Sequence, residues 1–109
     1  MADDYFHNDN TQLVITLFMF TWKKYKFHFY PPLPFMATKG ATVNYVIADK
    51  TFDIMIMADT MIQVETELQQ KFCKIWEYIY FKAEKLTKKE KHIKYILEKS
   101  LTVSVLPKI

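Results

Sequence analysis

The residues with the clearest capacity for chemistry lie near the C-terminal end of the chain, in a segment that combines lysines with an aromatic side chain. If this segment is helical, one of its faces carries Lys88, Lys91, His92, Tyr95 and Lys99. Lysine ammonium groups bind phosphates, and a neighbouring aromatic ring can stack on a base. The face therefore predicts a binding surface for nucleic acid or for an acidic protein partner. The alternative interpretation is a lysine face that is only solvated.

A second set of basic and aromatic residues lies on one face of a predicted strand. It comprises Lys24, Lys26, His28 and Tyr30. Sheet faces of this composition bind single-stranded RNA in some folds. All fifteen basic residues are lysines, so the bidentate contact that arginine makes to guanine is excluded. Any binding of nucleic acid is therefore expected to be independent of base sequence.

Enzymatic chemistry has little support. His28 and Asp53 lie on predicted strands that can be neighbours, which would place a general base beside an orienting carboxylate; a surface histidine and an ordinary strand carboxylate are the alternative. Cys73 is the only cysteine, and with no histidine paired to it in sequence we expect a small buried hydrophobe. The histidines are far apart, and one glycine cannot build a phosphate-binding loop. We expect a non-catalytic protein with no cofactor and no metal site.

Two helices would position the C-terminal half of the chain. Residues 60–86 place apolar side chains three and four positions apart, which is the period of one helical face. These side chains are Met61, Val64, Leu68, Phe72, Ile75, Ile79, Ala83 and Leu86. Thr60 with Gln63 and Thr87 with Glu90 have the spacing of capping boxes. We predict a long helix over about 60–86 and a shorter one over about 88–99.

Strands are predicted before and after these helices. Residues 12–22 are rich in β-branched and aromatic types, and residues 24–30 alternate. The two segments form either a hairpin that turns at Lys23-Lys24 or one long strand with a bulge near Trp22. The prolines of residues 30–34 predict a break, either as a rigid connector or as a polyproline ligand. Residues 42–47 and 51–57 predict a hairpin, and residues 101–105 predict a last strand.

The order β-β-β-β-α-α-β predicts an α+β fold. We expect an antiparallel sheet of four or five strands, with the long helix and the shorter helix packed on one face. The polar and acidic residues 1–10 are predicted to be a flexible arm. Residues 11–109 then form a single α+β domain.

The predicted sheet and helices cannot bury all of the apolar side chains. Residues 13–20 are apolar on both strand faces, and the long helix carries two aromatic side chains away from its apolar stripe. We expect a dimer or partner interface to include Phe18, Phe20, Trp22, Tyr78 and Phe81. For Phe81, packing against the second helix is the alternative. Large apolar patches usually mark a partner, and twofold homodimers are the commonest solution.

Composition and charge limit the possible functions of the chain. The 109-residue chain opens with acids rather than with a basic signal peptide, and its longest apolar run has eight residues, whereas a membrane span needs about twenty. We therefore expect a soluble cytoplasmic protein. Residues 71–99 carry nine lysines and four glutamates.

Together these patterns predict a small non-catalytic macromolecular-interaction protein, a homodimeric accessory or regulatory factor. Its size and its lysine-only basic composition would fit a virus or an AT-rich microbe. The alternative is a sequence-independent nucleic-acid-binding protein that uses the lysine-rich second helix.

Overall fold

Residues 12–107 are described by the structure, which is a computed structural model. Their elements follow one another as β1 (Gln12–Trp22), β2 (Tyr25–Thr38), β3 (Tyr45–Asp49), β4 (Ile54–Ala58), α1 (Met61–Glu77), a π-helical turn (Tyr78–Lys82), α2 (Lys88–Ser100) and β5 (Leu101–Val105). The strands form one five-stranded sheet in the order β1-β2-β3-β4, with β5 paired to β2. This arrangement confirms the predicted α+β class. The predicted arm over residues 1–10 lies outside the described residues.

β1 and β2 form a hairpin with a two-residue connection. Lys23 has a φ of 54°, and a positive φ is what the tightest hairpin turns require. Lys23 and Lys24 are therefore the turn, although neither residue type favours one. The hairpin is confirmed, and the alternative of one long bent strand is wrong.

The predicted break at the prolines is wrong, because β2 runs through them from Tyr25 to Thr38. The ladder between β2 and β5 ends at Phe29, and the ladder between β2 and β3 covers Ala37 and Thr38. The prolines lie between these two ladders, so neither β3 nor β5 needs the N–H that proline lacks. Sequence composition alone could not locate this gap, since it depends on which strands pair with β2.

The hairpin of β3 and β4 is confirmed, but its turn is longer than predicted. Ile47 pairs with Ile56, and the last pair joins Asp49 to Ile54. Phe52 belongs to the turn, where its N–H donates to Asp49 Oδ2 at 2.8 Å, and its side chain is buried. Asp53 has a φ of 59°, so it lies in a left-handed turn and the prediction that it lies on a strand is wrong.

Both capping boxes form. The Gln63 N–H donates to Thr60 Oγ1 and the Thr60 N–H donates to Gln63 Oε1, each at 3.2 Å. Thr87 and Glu90 make the same reciprocal pair at 2.9 and 3.1 Å. Each box satisfies backbone donors that the first helical turn leaves free, which explains why the starts of both helices were predictable.

The long helix ends earlier than predicted, at Lys82 instead of residue 86. Its last turn is π-helical, and the Ala83 N–H closes it by donating to the Tyr78 carbonyl at 2.8 Å. Ala83 itself is extended, with φ −74° and ψ 125°. The apolar spacing continues to Leu86, so periodicity alone overestimated the helix.

The chain divides into two compact units. Unit 1 contains residues Met1–Thr16 and Pro34–Gln69, of which 12–16 and 34–69 are described. Its hairpin strands and the first half of α1 bury a shared set of apolar side chains. These are Ile15, Phe35, Ala37, Ile47, Phe52, Ile54, Ile56, Ala58, Val64 and Leu68.

Unit 2 contains residues Leu17–Leu33 and Gln70–Ile109, described to residue 107. Its core is more aromatic, because β2 and the second half of α1 both contribute rings. The buried side chains are Leu17, Phe20, Phe27, Phe29, Phe72, Cys73, Trp76, Ile79, Ile93 and Leu97. β5 closes the unit by pairing with β2 from Tyr25 to Phe29. The prediction of a single domain over residues 11–109 stays a prediction.

Candidate interaction surfaces

The predicted basic face of α2 forms on the outside of unit 2. Its five residues, Lys88, Lys91, His92, Tyr95 and Lys99, are all exposed. The buried side chains Ile93 and Leu97 hold the opposite face in the core. This division follows from a helical period in which apolar and basic residues are out of phase. We refer to these five exposed residues as the α2 basic face.

Aromatic rings on and near α2 lie beside lysine ammonium groups. Lys99 Nζ is 4.6 Å from the centre of the Tyr95 ring, and Lys94 Nζ is 5.5 Å from that of Tyr80. Both separations are within the range in which the ring quadrupole attracts a cation. The Tyr95 side chain is nevertheless 54% exposed. The α2 basic face therefore holds an accessible ring and a cation next to each other.

The second predicted basic set is brought together only in part. Lys26 and His28 lie on β2 opposite Ser104 and Thr102 of β5. The His28 ring packs edge-on against Phe18, with 5.1 Å between ring centres. Lys24 belongs to the turn, although it was expected on the strand face, and Tyr30 lies further along β2.

Unit 2 carries a large excess of positive charge. Its described residues include twelve lysines and four glutamates, and the segment 17–33 has no acid at all. The described residues of unit 1 have two lysines and five acids. The sequence already shows an excess of lysine in residues 71–99. The fold adds Lys23, Lys24 and Lys26 to the same unit, which the sequence alone does not show.

A column of aromatic rings leads from the core of unit 2 to its surface. Trp76 packs edge-on against Phe27 and Tyr25, with 5.0 Å between ring centres in both pairs. Phe81 packs against Trp76 at 5.1 Å and is 64% exposed, whereas Trp76 is only 6% exposed. Phe81 is therefore an exposed ring that rests on a buried one.

Charged side chains lie next to this exposed ring in sequence. Glu77 forms ion pairs with both Lys23 and Lys82, with 3.5 Å between the charged atoms in each pair. Tyr78, on the same π-helical turn as Phe81, is 44% exposed. We call Tyr78 and Phe81 the Phe81 surface. An apolar centre beside ion pairs is the arrangement that protein interfaces commonly have.

The three interface residues predicted on β1 have different environments. Phe18 is 49% exposed and Trp22 is half-buried beneath Lys23 Nζ, which lies 4.3 Å from its ring. Phe20 is buried and stacks on Phe27 and Phe29. Phe20 therefore belongs to the core of unit 2 and is not available to a partner at the surface.

Sequence reasoning did not select an exposed apolar group on unit 1. Its members are Val14, Met36, Met55 and Met57, which are about half exposed. Met55 and Met57 alternate with the buried Ile54 and Ile56 along β4, so the period-two pattern contained the signal. Methionine is common on adaptable binding surfaces because its side chain is flexible and polarisable.

Cys73, the single cysteine, lies in the core of unit 2. Cys73 is fully buried, and burial raises the pKa of its thiol to about 12, with the charge of Glu77 acting in the same direction and Lys23 opposing it. Because the thiolate is the reactive form, this environment suppresses nucleophilic chemistry. Within residues 12–107, no group of three or more histidine, cysteine or acidic side chains could hold a metal ion.

An open groove lies on unit 2 beside α2. It has a volume of about 520 Å³ and is lined by Trp76, Tyr80, Leu97, Glu98, Leu101 and Val103. Burial raises the pKa of the Tyr80 hydroxyl, and the carboxylate of Glu98 raises it further. The groove thus disfavours ionisation of its phenol and has a mixed aromatic and aliphatic lining.

Comparison with protein-family models, with curated proteins and with solved structures finds no match to this chain. None of the helices among the described residues is long and apolar enough to cross a membrane.

Proposed function

We propose that this protein is a small non-catalytic macromolecular-interaction protein that acts as a homodimer through the Phe81 surface. The observation that carries the proposal is Phe81 itself, which is 64% exposed while its ring rests on the buried Trp76. Anchored aromatic side chains with a polar surround are the typical centres of interfaces, because little side-chain entropy is lost when they are covered.

The energy available from such a contact is substantial. Fully burying a phenylalanine side chain contributes about 1.5–3 kcal/mol, and a twofold axis uses each contact twice. Tyr78, also exposed on this turn, adds apolar area with a hydroxyl that can remain hydrated. A contact between two copies at this surface would therefore remove the largest exposed ring of α1 and its π-helical turn from water.

The positive charge of unit 2 should make the strength of dimerisation depend on the salt concentration. The described part of unit 2 has twelve lysines against four glutamates, so two copies that meet through unit 2 repel each other. Added salt screens that repulsion, and the Debye length falls from about 10 Å at 0.1 M to about 3 Å at 1 M. We expect dimerisation to strengthen as the salt concentration rises.

Sedimentation equilibrium at micromolar concentration tests the proposal. We expect the wild-type protein to have twice the 13.1 kDa mass of the chain, and more dimer at high salt. Phe81→Glu should shift the protein to monomer. Ile62→Glu is the matched control, because Ile62 is 75% exposed on α1 but lies in unit 1. A wild-type monomer at all salt concentrations, or equal effects of the two substitutions, would contradict the proposal.

We also propose that the protein works in the cytoplasm as an accessory or regulatory factor, with a further protein as its partner. The single, fully buried cysteine supports a reducing compartment, since it offers no thiol for a disulfide framework. The small size and the lysine-only basic composition support an origin in a virus or an AT-rich microbe.

A further inference from the structure

We propose that the α2 basic face binds single-stranded nucleic acid through its phosphate backbone, without reading the base sequence. The charge of unit 2 supports this binding. The twelve lysines and four glutamates of the described part of unit 2 create a strongly positive surface, and all lysines of the α2 basic face are exposed. A polyanion is the partner that complements such a surface.

The spacing of the lysines along α2 suits the backbone of a nucleic-acid strand. From Lys88 to Lys99 the helix rises by about 16 Å, at about 1.5 Å per residue. Stacked nucleotides of one strand advance about 3.4 Å each, so this length matches roughly five nucleotides. Lys91 lies one helical turn after Lys88 on the same face. Successive phosphates of one strand can therefore be contacted along the helix.

The exposed ring of Tyr95 favours a single strand over a duplex. Tyr95 is 54% exposed between these lysines, and Lys99 Nζ is 4.6 Å from its ring centre. An exposed ring can stack only on a base whose face is free, and duplex bases already stack on each other. The ring can thus stack on the base of one nucleotide while the adjacent ammonium group binds its phosphate.

The residue types explain why sequence is not read. Lysine provides a point charge that contacts phosphate, and the chain has no arginine for a bidentate contact to guanine. Stacking on tyrosine tolerates every base. Lys24 and Lys26 add positive charge to the same unit, which strengthens attraction at a distance.

Fluorescence anisotropy with a labelled oligothymidylate of about 20 nucleotides tests the proposal. We expect binding at low salt, with log K falling linearly against log salt. The double variant Lys88→Gln/Lys91→Gln should bind at least tenfold more weakly, and its salt slope should be smaller by about 1.4, at about 0.7 per phosphate contact. Tyr95→Ala should weaken binding about tenfold and leave the slope unchanged.

Lys39→Gln/Lys50→Gln is the matched control, because it removes the same charge from exposed lysines of unit 1. We expect it to bind like the wild type. Equal losses in both double variants would overturn the assignment to α2. Absence of binding at low salt, tighter binding to a duplex of the same length, or equally tight binding to polyglutamate would each overturn the proposal, the last in favour of an acidic protein partner.

The outcome does not depend on the Phe81 surface. The variants leave Phe81 and Tyr78 in place, and circular dichroism checks that they fold. Nucleic-acid binding should weaken with salt, whereas dimerisation should strengthen with it, so a failure of one proposal can be distinguished from a failure of the other.

Discussion

Cys73 shows how one side chain responds to its place in the core. It is fully buried on α1, and burial is the largest cause of a thiol pKa of about 12. The ordinary value is 9.0. Folding therefore disfavours the thiolate, and the thiol acts as a small apolar group. The sequence predicted this role from the absence of a paired histidine.

The raised pKa of Cys73 predicts a pH dependence of stability. The pKa of the thiol is higher in the folded state than in the unfolded state. The thiol therefore makes its full contribution to the free energy of unfolding below about pH 9, and this contribution is lost as the pH rises from 9 toward 12. In that window the free energy of unfolding should fall by at most about 1.4 kcal/mol per pH unit from this group. Urea denaturation at a series of pH values measures it.

Cys73→Ala is the control for this prediction, since the variant keeps every other titrating group. Its stability is expected to be lower at neutral pH because of the cavity, so the slopes are compared and not the absolute values. Parallel slopes for the two proteins above pH 9 would show that the thiol does not contribute.

At the scale of elements, the start of α2 is fixed by the capping box of Thr87 and Glu90. The Thr87 hydroxyl accepts from the Glu90 N–H, and the Glu90 carboxylate accepts from the Thr87 N–H. Because α2 carries the basic face, its first turn also positions Lys88 and Lys91. The cap therefore connects local sequence to the proposed binding surface.

Thr87→Ala should lower the free energy of unfolding by about 1 kcal/mol, because it leaves a backbone donor of the first turn without its acceptor. Thr66→Ala is the matched control, since Thr66 is exposed in the interior of α1 and alanine has the higher helix propensity. We expect the control to be neutral or slightly stabilising by urea denaturation. An equal loss in both variants would exclude capping as the cause.

Strands were harder to predict than helix starts, and β2 shows why. Its prolines were expected to break the strand, yet they lie between the β5 ladder and the β3 ladder. A capping box is decided by residues three positions apart, whereas the tolerance of a proline depends on strands far away in the sequence.

At the scale of the whole molecule, three elements run through both units. β1 continues from unit 1 into unit 2 after Thr16, β2 passes from unit 2 to unit 1 after Leu33, and α1 changes unit after Gln69. Melting either unit would therefore cut a hydrogen-bonded strand or helix. We expect the chain to unfold in one cooperative transition.

Both tryptophans, Trp22 and Trp76, lie in unit 2, so their fluorescence reports that unit alone. Leu68→Ala removes a fully buried side chain from unit 1 and should cost about 2–5 kcal/mol. If unfolding is cooperative, this variant shifts the fluorescence transition as far as the circular dichroism transition. Leu97→Ala in unit 2 is the positive control. An unshifted fluorescence transition in Leu68→Ala would show that the units unfold separately.

The sequence alone determined the features that short-range forces decide. Helical periodicity, two capping boxes and strand alternation gave the α+β class, the helix starts and the exposed lysines of α2, because each depends on residues within a few positions of one another. Phe81 was likewise expected to face away from the apolar stripe. Only the tertiary structure decided that Phe81 rests on Trp76 and that Phe20 is buried while Phe18 is exposed. Those outcomes depend on which distant segments cover each face, which adjacent residues do not encode.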